Sequence, residues 1–281
     1  MGTPREKSAA QRGATKKKGK IYLTRELVEE YKAGKRELSL DLGRSVTKVT
    51  NELDAVPLEE VKGDFVYAWD GKELWKVAVF DNGLYRLRMM KGKPILEIDG
   101  LRMHLIKDFD DVLDYSKLVV RGLGVKEGDS VLDTCMGLGY TAIEASKKAG
   151  KTGKVVTVEL SPAVIAMAKW NPWSRELFDG GIEVIGERSC YDYVREAKDG
   201  QFDRIIHDPP RFSKAGELYS RTFYTELFRI CGKGGKLFHY VGSLGEKRRD
   251  VMGEASKRLE ECGWKVVKKN KRLQGIFAVK S

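Results

Sequence analysis

The strongest indication of the fold in this 281-residue chain is the segment Val131-Leu132-Asp133-Thr134-Cys135-Met136-Gly137-Leu138-Gly139-Tyr140-Thr141-Ala142. Its first three residues predict a strand that ends at Asp133, and a helical pattern follows the turn. Gly137 and Gly139 let the backbone turn tightly and approach a ligand without a Cβ in the way. A strand, a glycine turn and a helix in this order indicate an open α/β sheet with a ligand site at the carboxyl ends of its strands.

Strand and helix patterns alternate from about Asp108 to the end of the chain. The predicted strands are Ser130–Asp133, Val155–Leu160, Ile182–Ile185, Arg204–His207, Lys236–Val241, Trp264–Lys268 and Gly275–Val279. Helical crossovers between most of them require parallel pairing, because a parallel neighbour cannot be reached by a tight turn. The short connection between the last two strands predicts an antiparallel pair.

Residues 21–107 predict a smaller, β-rich N-terminal domain. A leading helix should begin after Thr24 as its N-cap. Apolar residues then alternate with polar ones, and Asp70-Gly71, Asn82-Gly83 and Asp99-Gly100 interrupt them. Such pairs are typical of hairpin turns, so we expect antiparallel strands, in a domain that serves RNA docking or dimerisation.

Residues 108–281 resemble the class I (Rossmann-fold) S-adenosylmethionine-dependent methyltransferases, on the glycine turn and the final antiparallel pair. The resemblance implies an α/β fold: a seven-stranded, mostly parallel sheet with helices on both faces. It also implies S-adenosylmethionine as cofactor. The candidate cofactor contacts are Tyr115, Ser116, Asp133, Thr134, Cys135, Met136, Gly137, Gly139, Tyr140, Thr141, Glu159, Leu160, Ser161, Glu187 and Ser189.

The glycine turn also fits a dinucleotide fingerprint, which leaves an NAD-type oxidoreductase open. Glu159, twenty residues after Gly139, can accept both ribose hydroxyls in either class. Asp133 favours S-adenosylmethionine, since a fixed negative charge repels a pyrophosphate and attracts an ammonium and a sulfonium. Its alternative role is a structural cap of the following helix.

The segment Ile206-His207-Asp208-Pro209-Pro210-Arg211-Phe212 follows a predicted strand and is the second decisive motif. Two prolines hold the backbone extended and lack N–H groups, so an amine that enters meets the Asp208 carboxylate and the Pro209 carbonyl. Two acceptors on its hydrogens localise the lone pair of a base amine. The motif resembles the Asp/Asn-Pro-Pro-aromatic sequence of amino-methyltransferases, which implies Asp208, Pro209 and Pro210 as catalytic residues.

Arg211 stands where that family has an aromatic residue. Arg211, Phe212 and Tyr240 are therefore candidate substrate contacts, by stacking or, for Arg211, by a phosphate contact. Asp-Pro-Pro-Arg also occurs in RNA enzymes that methylate carbon 5 of pyrimidines and need a cysteine near the end of the following strand. That place holds no cysteine, so carbon methylation is disfavoured.

The net charge and the cysteine content indicate the broad class of protein. The net charge of +11 favours a polyanionic partner such as nucleic acid, although solubility or a heat-adapted surface would also account for it. Residues 1–20 carry seven basic residues and predict a flexible basic arm, or a solvated tail. The scattered cysteines and histidines predict neither disulfides nor a metal site. No secretory signal or membrane span is visible, so we expect a cytoplasmic protein.

RNA amine methylation is the function that these features favour. The resemblance extends to predicted archaeal methyltransferases that share His-Asp-Pro-Pro-Arg-Phe-Ser, and it implies N4-methylation or N4,N4-dimethylation of cytidine in ribosomal RNA, with the small ribosomal subunit as partner. Adenine N6, guanine N2 and a protein glutamine remain alternative acceptors. An aminopropyltransferase shares the fold, but a polyamine favours an acidic surface.

Overall fold

The computed structural model describes residues 20–210, 215–242 and 250–281. The predicted basic arm, apart from Lys20, and the candidate substrate contacts Arg211 and Phe212 lie outside the described residues.

Strands and helices fill most of the described chain. The strands are β1 (Ile21–Leu23), β2 (Glu37–Leu38), β3 (Thr47–Lys48), β4 (Tyr67–Trp69), β5 (Leu74–Lys76), β6 (Ala78–Phe80), β7 (Leu84–Met90), β8 (Lys93–Ile98), β9 (Leu101–Arg102), β10 (Ser130–Asp133), β11 (Lys154–Glu159), β12 (Glu183–Gly186), β13 (Phe202–His207), β14 (Cys231–Tyr240), β15 (Lys265–Asn270) and β16 (Gly275–Val279). The α-helices are α1 (Arg25–Lys32), α2 (Asp114–Leu123), α3 (Tyr140–Ala149), α4 (Pro162–Trp170), α5 (Cys190–Glu196), α6 (Arg221–Ile230) and α7 (Val251–Glu261), and short 3-10 helices cover Leu58–Glu60, Pro172–Leu177 and Gly216–Tyr219.

The chain divides into two compact units. One consists of residues up to 104 together with 163–173, and the other of residues 105–162 and 174–281. Segment 163–173, which contains most of α4, thus groups with the N-terminal unit, whereas the sequence pattern assigned it to the methyltransferase domain and set the boundary at residue 107.

The second unit contains a mixed seven-stranded sheet in the order β12-β11-β10-β13-β14-β16-β15. Neighbouring strands from β12 to β14 pair in parallel, and β16 is antiparallel to both β14 and β15. The predicted seven-stranded α/β sheet with a final antiparallel pair is therefore confirmed. This topology brings the ends of β10, β11, β13 and β14 to one edge of the sheet, hereafter the carboxyl edge.

Strand alternation distributes the core to both faces of this sheet. Leu132, Ile205 and Leu237 pack with the apolar residues of α5, α6 and α7. Asp133 is the next residue after Leu132 and therefore points to the opposite face. There it accepts a hydrogen bond from Thr141 of α3. The predicted cover of helices on both faces is thus present.

The first unit is built from a leading helix and small antiparallel sheets. Thr24 caps α1 as predicted, because its Oγ1 accepts a hydrogen bond from the Leu27 amide at 3.2 Å. The sheets are β1-β4-β5, β2-β3 and β6-β7-β8-β9. The alternation between Asp70-Gly71 and Asn82-Gly83 predicts one returning strand from Leu74 to Phe80, and the structure corrects this. Buried Val77 separates β5 from β6, and its backbone bonds to both Val66 and Leu87.

Candidate active site

Asp133 lies fully buried at the carboxyl end of β10. Its Oδ2 accepts hydrogen bonds from the hydroxyls of Thr141 at 3.0 Å and Thr157 at 3.3 Å. Its Oδ1 is buried without a hydrogen-bond partner among the described residues. Burial raises the pKa of Asp133 to about 7, and the nearby Asp208 carboxylate adds to the shift. A buried carboxylate with an unsatisfied oxygen favours a cationic partner.

The two glycines of the turn serve different purposes. Both have positive φ, +54° at Gly137 and +75° at Gly139, where a side chain is strained. A Cβ on Gly139 would lie within 2.2–2.6 Å of Leu177, so close packing excludes it. A Cβ on Gly137 would meet no atom of the described residues within 4 Å. Gly137 thus borders open space, where a ligand can approach the backbone.

We expect the Gly139→Ala variant to lose about 2–4 kcal/mol of unfolding free energy, because overpacking adds to backbone strain. Gly137→Ala is the matched control and should lose only about 1 kcal/mol, since strain alone acts there. Urea denaturation measures both. A double variant Gly139→Ala/Leu177→Ala should recover part of the loss, and equal losses in the two single variants would contradict the packing argument.

Glu159 ends β11 beside the turn. Its Oε2 accepts a hydrogen bond from the Gly137 amide at 3.1 Å, and its Oε1 accepts one from the Ser161 amide at 2.9 Å. Burial raises the pKa of Glu159. Leu160, the next residue, is 62% exposed and presents an apolar side chain beside Glu159. A carboxylate beside an exposed apolar side chain suits a ribose and an adenine ring.

The other predicted cofactor contacts have mixed environments. Glu187 is exposed and has a positive φ of +55°. The Ser189 hydroxyl caps α5 by accepting a hydrogen bond from the Tyr191 amide at 3.1 Å. Ser189 therefore has a structural use, and Glu187 is the better placed of the two for an adenine contact. Four further candidates are buried, namely Ser116, Thr134, Met136 and Tyr140.

The residues of the turn fit S-adenosylmethionine. The unsatisfied Oδ1 of Asp133 matches an ammonium donor, the open side of Gly137 leaves room, and Glu159 can accept ribose hydroxyls with its remaining lone pairs. A pyrophosphate would instead place its negative charge near Asp133 and Glu159. The geometry favours the cationic ligand.

Addition of S-adenosylmethionine should raise the melting temperature by roughly 5–10 °C at a hundredfold excess over Kd, since binding to the native state adds about 2.7 kcal/mol there. NAD at the same concentration should leave the melting temperature unchanged. Differential scanning fluorimetry measures both ligands. Stabilisation by NAD and not by S-adenosylmethionine would make the chain an oxidoreductase.

Asp208 follows β13 directly and accepts a hydrogen bond from Tyr115, a residue that the sequence analysis assigned to the cofactor. The Tyr115 hydroxyl on α2 donates to Asp208 Oδ2 at 3.0 Å. Asp208 Oδ1 receives none from the described residues. Burial raises the pKa of Asp208 to about 6, although the Tyr115 bond opposes the shift. Tyr115 thus orients the carboxylate of the Asp-Pro-Pro motif, and its predicted contact with the cofactor stays a prediction.

Aromatic side chains surround this carboxylate. The Tyr115 ring packs edge-on against Tyr240 at 6.4 Å and Phe238 at 6.3 Å. The Tyr219 hydroxyl donates to the Pro210 carbonyl at 3.0 Å and holds the second proline. Tyr115 and Tyr219 are buried, whereas Tyr240 is half-buried and keeps part of its ring accessible. The accessible part of the Tyr240 ring therefore offers an aromatic surface beside Tyr115, which bonds Asp208.

Buried His207 directly precedes Asp208 and contacts Thr134 of the glycine turn, so it connects these two parts of the site. The sequence did not predict this role. The Nδ1 of His207 lies 2.8 Å from Thr134 Oγ1, and its Nε2 lies 2.9 Å from the Leu218 carbonyl. Because a carbonyl only accepts, Nε2 carries the proton and Nδ1 accepts from Thr134. Burial lowers the pKa of His207 to about 4, so the ring is neutral at pH 7. Its ring stacks on His239 with centroids 4.6 Å apart.

In the described parts of the chain, neither the cysteines nor a set of metal ligands forms a second candidate reactive site besides the one at Asp208. Cys231 starts β14 opposite Phe202, at the amino edge of the sheet and away from Asp208. A hydrogen bond with Cys190, together with burial, raises the pKa of the Cys135 thiol well above its usual range. The described residues contain no cluster of three or more His, Cys, Asp or Glu side chains that could hold a metal ion.

Among the helices of the described residues, none is long and apolar enough to cross a membrane.

Comparison with known proteins gives the family. Residues 110–262, more than half of the chain, match the family described as methyltransferase small domain. The uncharacterized protein MJ1233 of Methanocaldococcus jannaschii is 41% identical over 273 residues, which cover 95% of this chain and 86% of that protein. The demethylmenaquinone methyltransferase of Staphylococcus aureus strain JH9 is 30% identical over 97 residues, or 33% of this chain and 40% of that protein.

Among solved structures, spermidine synthase from Thermotoga maritima superposes with a TM-score of 0.57 at 18% identity, over 74% of this chain and 75% of that chain. At this identity the likeness shows the fold alone. The family match carries more, and it agrees with the cationic-ligand site at Asp133. The chain belongs to the methyltransferase small domain family and is a methyltransferase that uses S-adenosylmethionine.

Proposed function

We propose that the protein methylates an exocyclic amino group of a base in structured RNA, with N4 of cytidine in ribosomal RNA as the favoured acceptor. One observation carries this proposal: the Asp208 carboxylate, held through Oδ2 by Tyr115, stands beside two prolines at the carboxyl edge, where the cofactor turn also ends. This arrangement offers acceptors to an amine and no backbone donor at Pro209 and Pro210.

The chemistry follows from these acceptors. S-adenosylmethionine supplies a methyl group on a sulfonium. Asp208 Oδ1 and the Pro209 carbonyl bind the two amine hydrogens, which localises the nitrogen lone pair and orients it. The nitrogen gains a bond to the methyl carbon as the bond between that carbon and the sulfonium sulfur breaks, and the sulfur keeps the electron pair and leaves as a neutral thioether. The nitrogen gives up one proton, which the Asp208 carboxylate can accept. Positioning supplies most of the rate, because the methyl group is already electrophilic.

Aromatic residues and charge support a nucleobase as substrate. The half-buried Tyr240 ring lies against Tyr115, next to the carboxylate, and can contact a planar ring. The net charge of +11 favours a polyanion. The raised pKa of the Cys135 thiol keeps it protonated, and Cys231 lies at the opposite edge, so among the described residues these two cysteines offer no thiolate near Asp208 for attack on carbon 6 of a pyrimidine.

Nucleoside mass spectrometry of RNA tests the proposal. Total RNA from cells with and without the gene should differ in one methylated nucleoside, expected to be N4-methylcytidine or N4,N4-dimethylcytidine. Loss of N6-methyladenosine or N2-methylguanosine instead would keep the reaction and change the base. Unchanged RNA with loss of methylglutamine in ribosomal proteins would overturn an RNA substrate.

Assays of the purified enzyme distinguish methyl transfer from aminopropyl transfer. Decarboxylated S-adenosylmethionine with putrescine is the probe for the second reaction. We expect no spermidine to form, because the Tyr240 ring packs against Tyr115, which bonds Asp208, and a flexible diamine gains little from these aromatic rings. Spermidine formation, without methyl transfer to RNA, would replace the proposal.

A further inference from the structure

The net positive charge of the chain is concentrated at its two ends. Residues 1–20 carry seven basic residues and one acidic residue, and residues 264–281 carry six basic residues and no acidic one. These 38 residues account for a net charge of +12, while the other 243 residues carry 39 basic and 40 acidic residues. The field that favours a polyanion therefore comes from the termini and not from the whole surface.

The C-terminal basic residues lie on the last two strands of the sheet. Lys268, Lys269, Lys271 and Arg272, here called the β15 strip, occupy the end of β15 and the turn into β16. All four are exposed. Among the described residues, no acidic side chain forms an ion pair with the three lysines. Lys280 is different, since its ammonium donates to the carbonyls of Phe228 and Cys231.

Strand direction brings the β15 strip to the edge that holds the active site. Asn270 pairs with Gly275, and Gly275 pairs with Tyr240, the last residue of β14. The strip thus follows the same carboxyl edge as Asp208. Three strand spacings separate β15 from β13, which corresponds to about 14 Å. Nucleotides that flank a base bound at Asp208 can cover this distance.

A chain of contacts connects the strip with Asp208. Arg272 donates twice to the Asp108 carbonyl, at 2.9 and 3.2 Å, and its guanidinium lies over the Phe109 ring at 4.8 Å. Phe109 packs edge-on against Tyr115, at 6.0 Å between centroids, and Tyr115 donates to Asp208. Arg272, at one end of the strip, is therefore anchored at a fixed place relative to the catalytic carboxylate.

The positive surface continues from Arg272 onto α2. Arg272 lines an open groove of about 680 Å³ together with Lys117 and Arg121 of α2. Lys117 forms an ion pair with Asp114 at 3.1 Å and adds little net charge, whereas Arg121 is exposed near the C-terminus of the helix. The groove extends the path of positive charge that starts at the strip.

We infer that the β15 strip is the docking surface for the phosphate backbone of the RNA substrate, an inference that rests on the proposed function. Lysines on an edge strand also prevent aggregation of sheets, which is the other use of such residues. Edge protection does not explain why the charges extend into the turn at the carboxyl edge. Phosphate contacts at that place position the substrate, while the base enters the site beside Asp208.

A triple variant of the full chain tests the inference. Lys268→Gln/Lys269→Gln/Lys271→Gln leaves Arg272 and its contacts in place. The matched control is Lys126→Gln/Lys151→Gln/Lys233→Gln, which removes the same charge from exposed lysines at the opposite, amino edge of the sheet. The probe is a fluorescein-labelled transcript of small-subunit ribosomal RNA, and binding is followed by fluorescence anisotropy from 50 to 300 mM KCl.

The strip variant should bind the probe at least about tenfold more weakly at 100 mM salt, with a salt slope reduced by about two to three, because each lost phosphate contact lowers the slope by roughly one. The control should stay within about threefold of the wild type. Equal affinities for strip variant, control and wild type would overturn the inference and leave the lysines as edge protection.

Failure of the docking surface can be distinguished from failure of the proposed function. Both triple variants should keep the melting temperature and the S-adenosylmethionine affinity of the wild type. Strip-dependent RNA binding without any RNA methylation would sustain the docking surface and reject the reaction. RNA methylation that is unaffected in the strip variant, in KM as well as kcat, would sustain the reaction and reject the docking surface.

Discussion

The Asp208→Ala variant is expected to transfer methyl groups at least about 10³-fold more slowly than the wild type while binding S-adenosylmethionine almost equally well. The variant removes the carboxylate that we propose to hold and orient the amine, and it leaves Asp133 and Glu159 unchanged. Single-turnover methylation of RNA, together with calorimetric titration of the cofactor, measures the two effects separately.

Two conservative variants give this prediction its controls. Asp208→Asn retains one acceptor oxygen and should lose less activity than Asp208→Ala. Tyr115→Phe removes the donor to Oδ2, at 3.0 Å, and should lower kcat about tenfold, since the carboxylate remains but is oriented less well. Full turnover by Asp208→Ala would remove the amine-binding mechanism. A loss of cofactor binding equal to the loss of activity would assign Asp208 to the cofactor.

Local patterns predicted the fold because its elements carry strong local signals. The strand that ends at Asp133 and the last strand, Gly275–Val279, have the predicted bounds. β14 departs from its prediction, since it starts at Cys231 and not at Lys236. Gly232, Gly234 and Gly235 interrupt the apolar pattern on which the predicted start depends. The structure instead shifts the pairing register there, between Phe202 and Arg204, and the strand continues past the irregularity.

The site was predictable only where its residues are neighbours in the sequence. The glycine turn and the Asp-Pro-Pro motif are continuous, and each stands at the end of a strand. The contact between Tyr115 and Asp208 joins residues 93 positions apart, and Thr157 reaches Asp133 from the adjacent strand. Such contacts depend on strand order and helix placement, which spacing does not contain. His207 gave no separate signal, because a histidine before Asp208 has the same pattern whether it packs or reacts.

The two buried carboxylates connect the fold to cofactor binding through their charge. The Asp208 carboxylate lies close enough to disfavour the charge on Asp133, and burial raises the pKa of Asp133 to about 7 and that of Asp208 to about 6. A cation next to Asp133 relieves this cost. The cofactor is thus expected to bind most tightly when Asp133 is ionised.

Raised pKa values also have a consequence for stability without the cofactor. The pKa of Asp133 rises from 3.8 to about 7 on folding, so the native state keeps a proton that the unfolded chain has released. This contribution to stability is complete below pH 3.8 and is lost as the pH rises to about 7, at a cost of about 2–4 kcal/mol. Buried histidines act in the opposite direction, since the pKa of His207 is lowered to about 4 and its neutral form favours folding above that value.

The Asp133→Asn variant isolates the contribution of Asp133 from that of the histidines. Its apo form should be more stable than the wild type at pH 8, by about 1–3 kcal/mol, and the difference should shrink as the pH falls and disappear below pH 3.8. Melting curves of both proteins across this range measure it. A constant difference between the two proteins at all pH values would show that Asp133 does not titrate on folding.

Cofactor affinity should show the reverse dependence on pH. The wild type should bind S-adenosylmethionine about 10–30-fold more tightly at pH 7.5 than at pH 5.5, since a carboxylate with a pKa of about 7 is largely protonated at the lower pH. Asp133→Asn should bind about a hundredfold more weakly at pH 7.5 and lose this dependence, because no charge remains opposite the ammonium. Asp208→Asn should retain the dependence. Tight, pH-independent binding by Asp133→Asn would assign Asp133 to the structural role of bonding Thr141 and Thr157, and the specificity for a cationic cofactor would then have to come from Glu159.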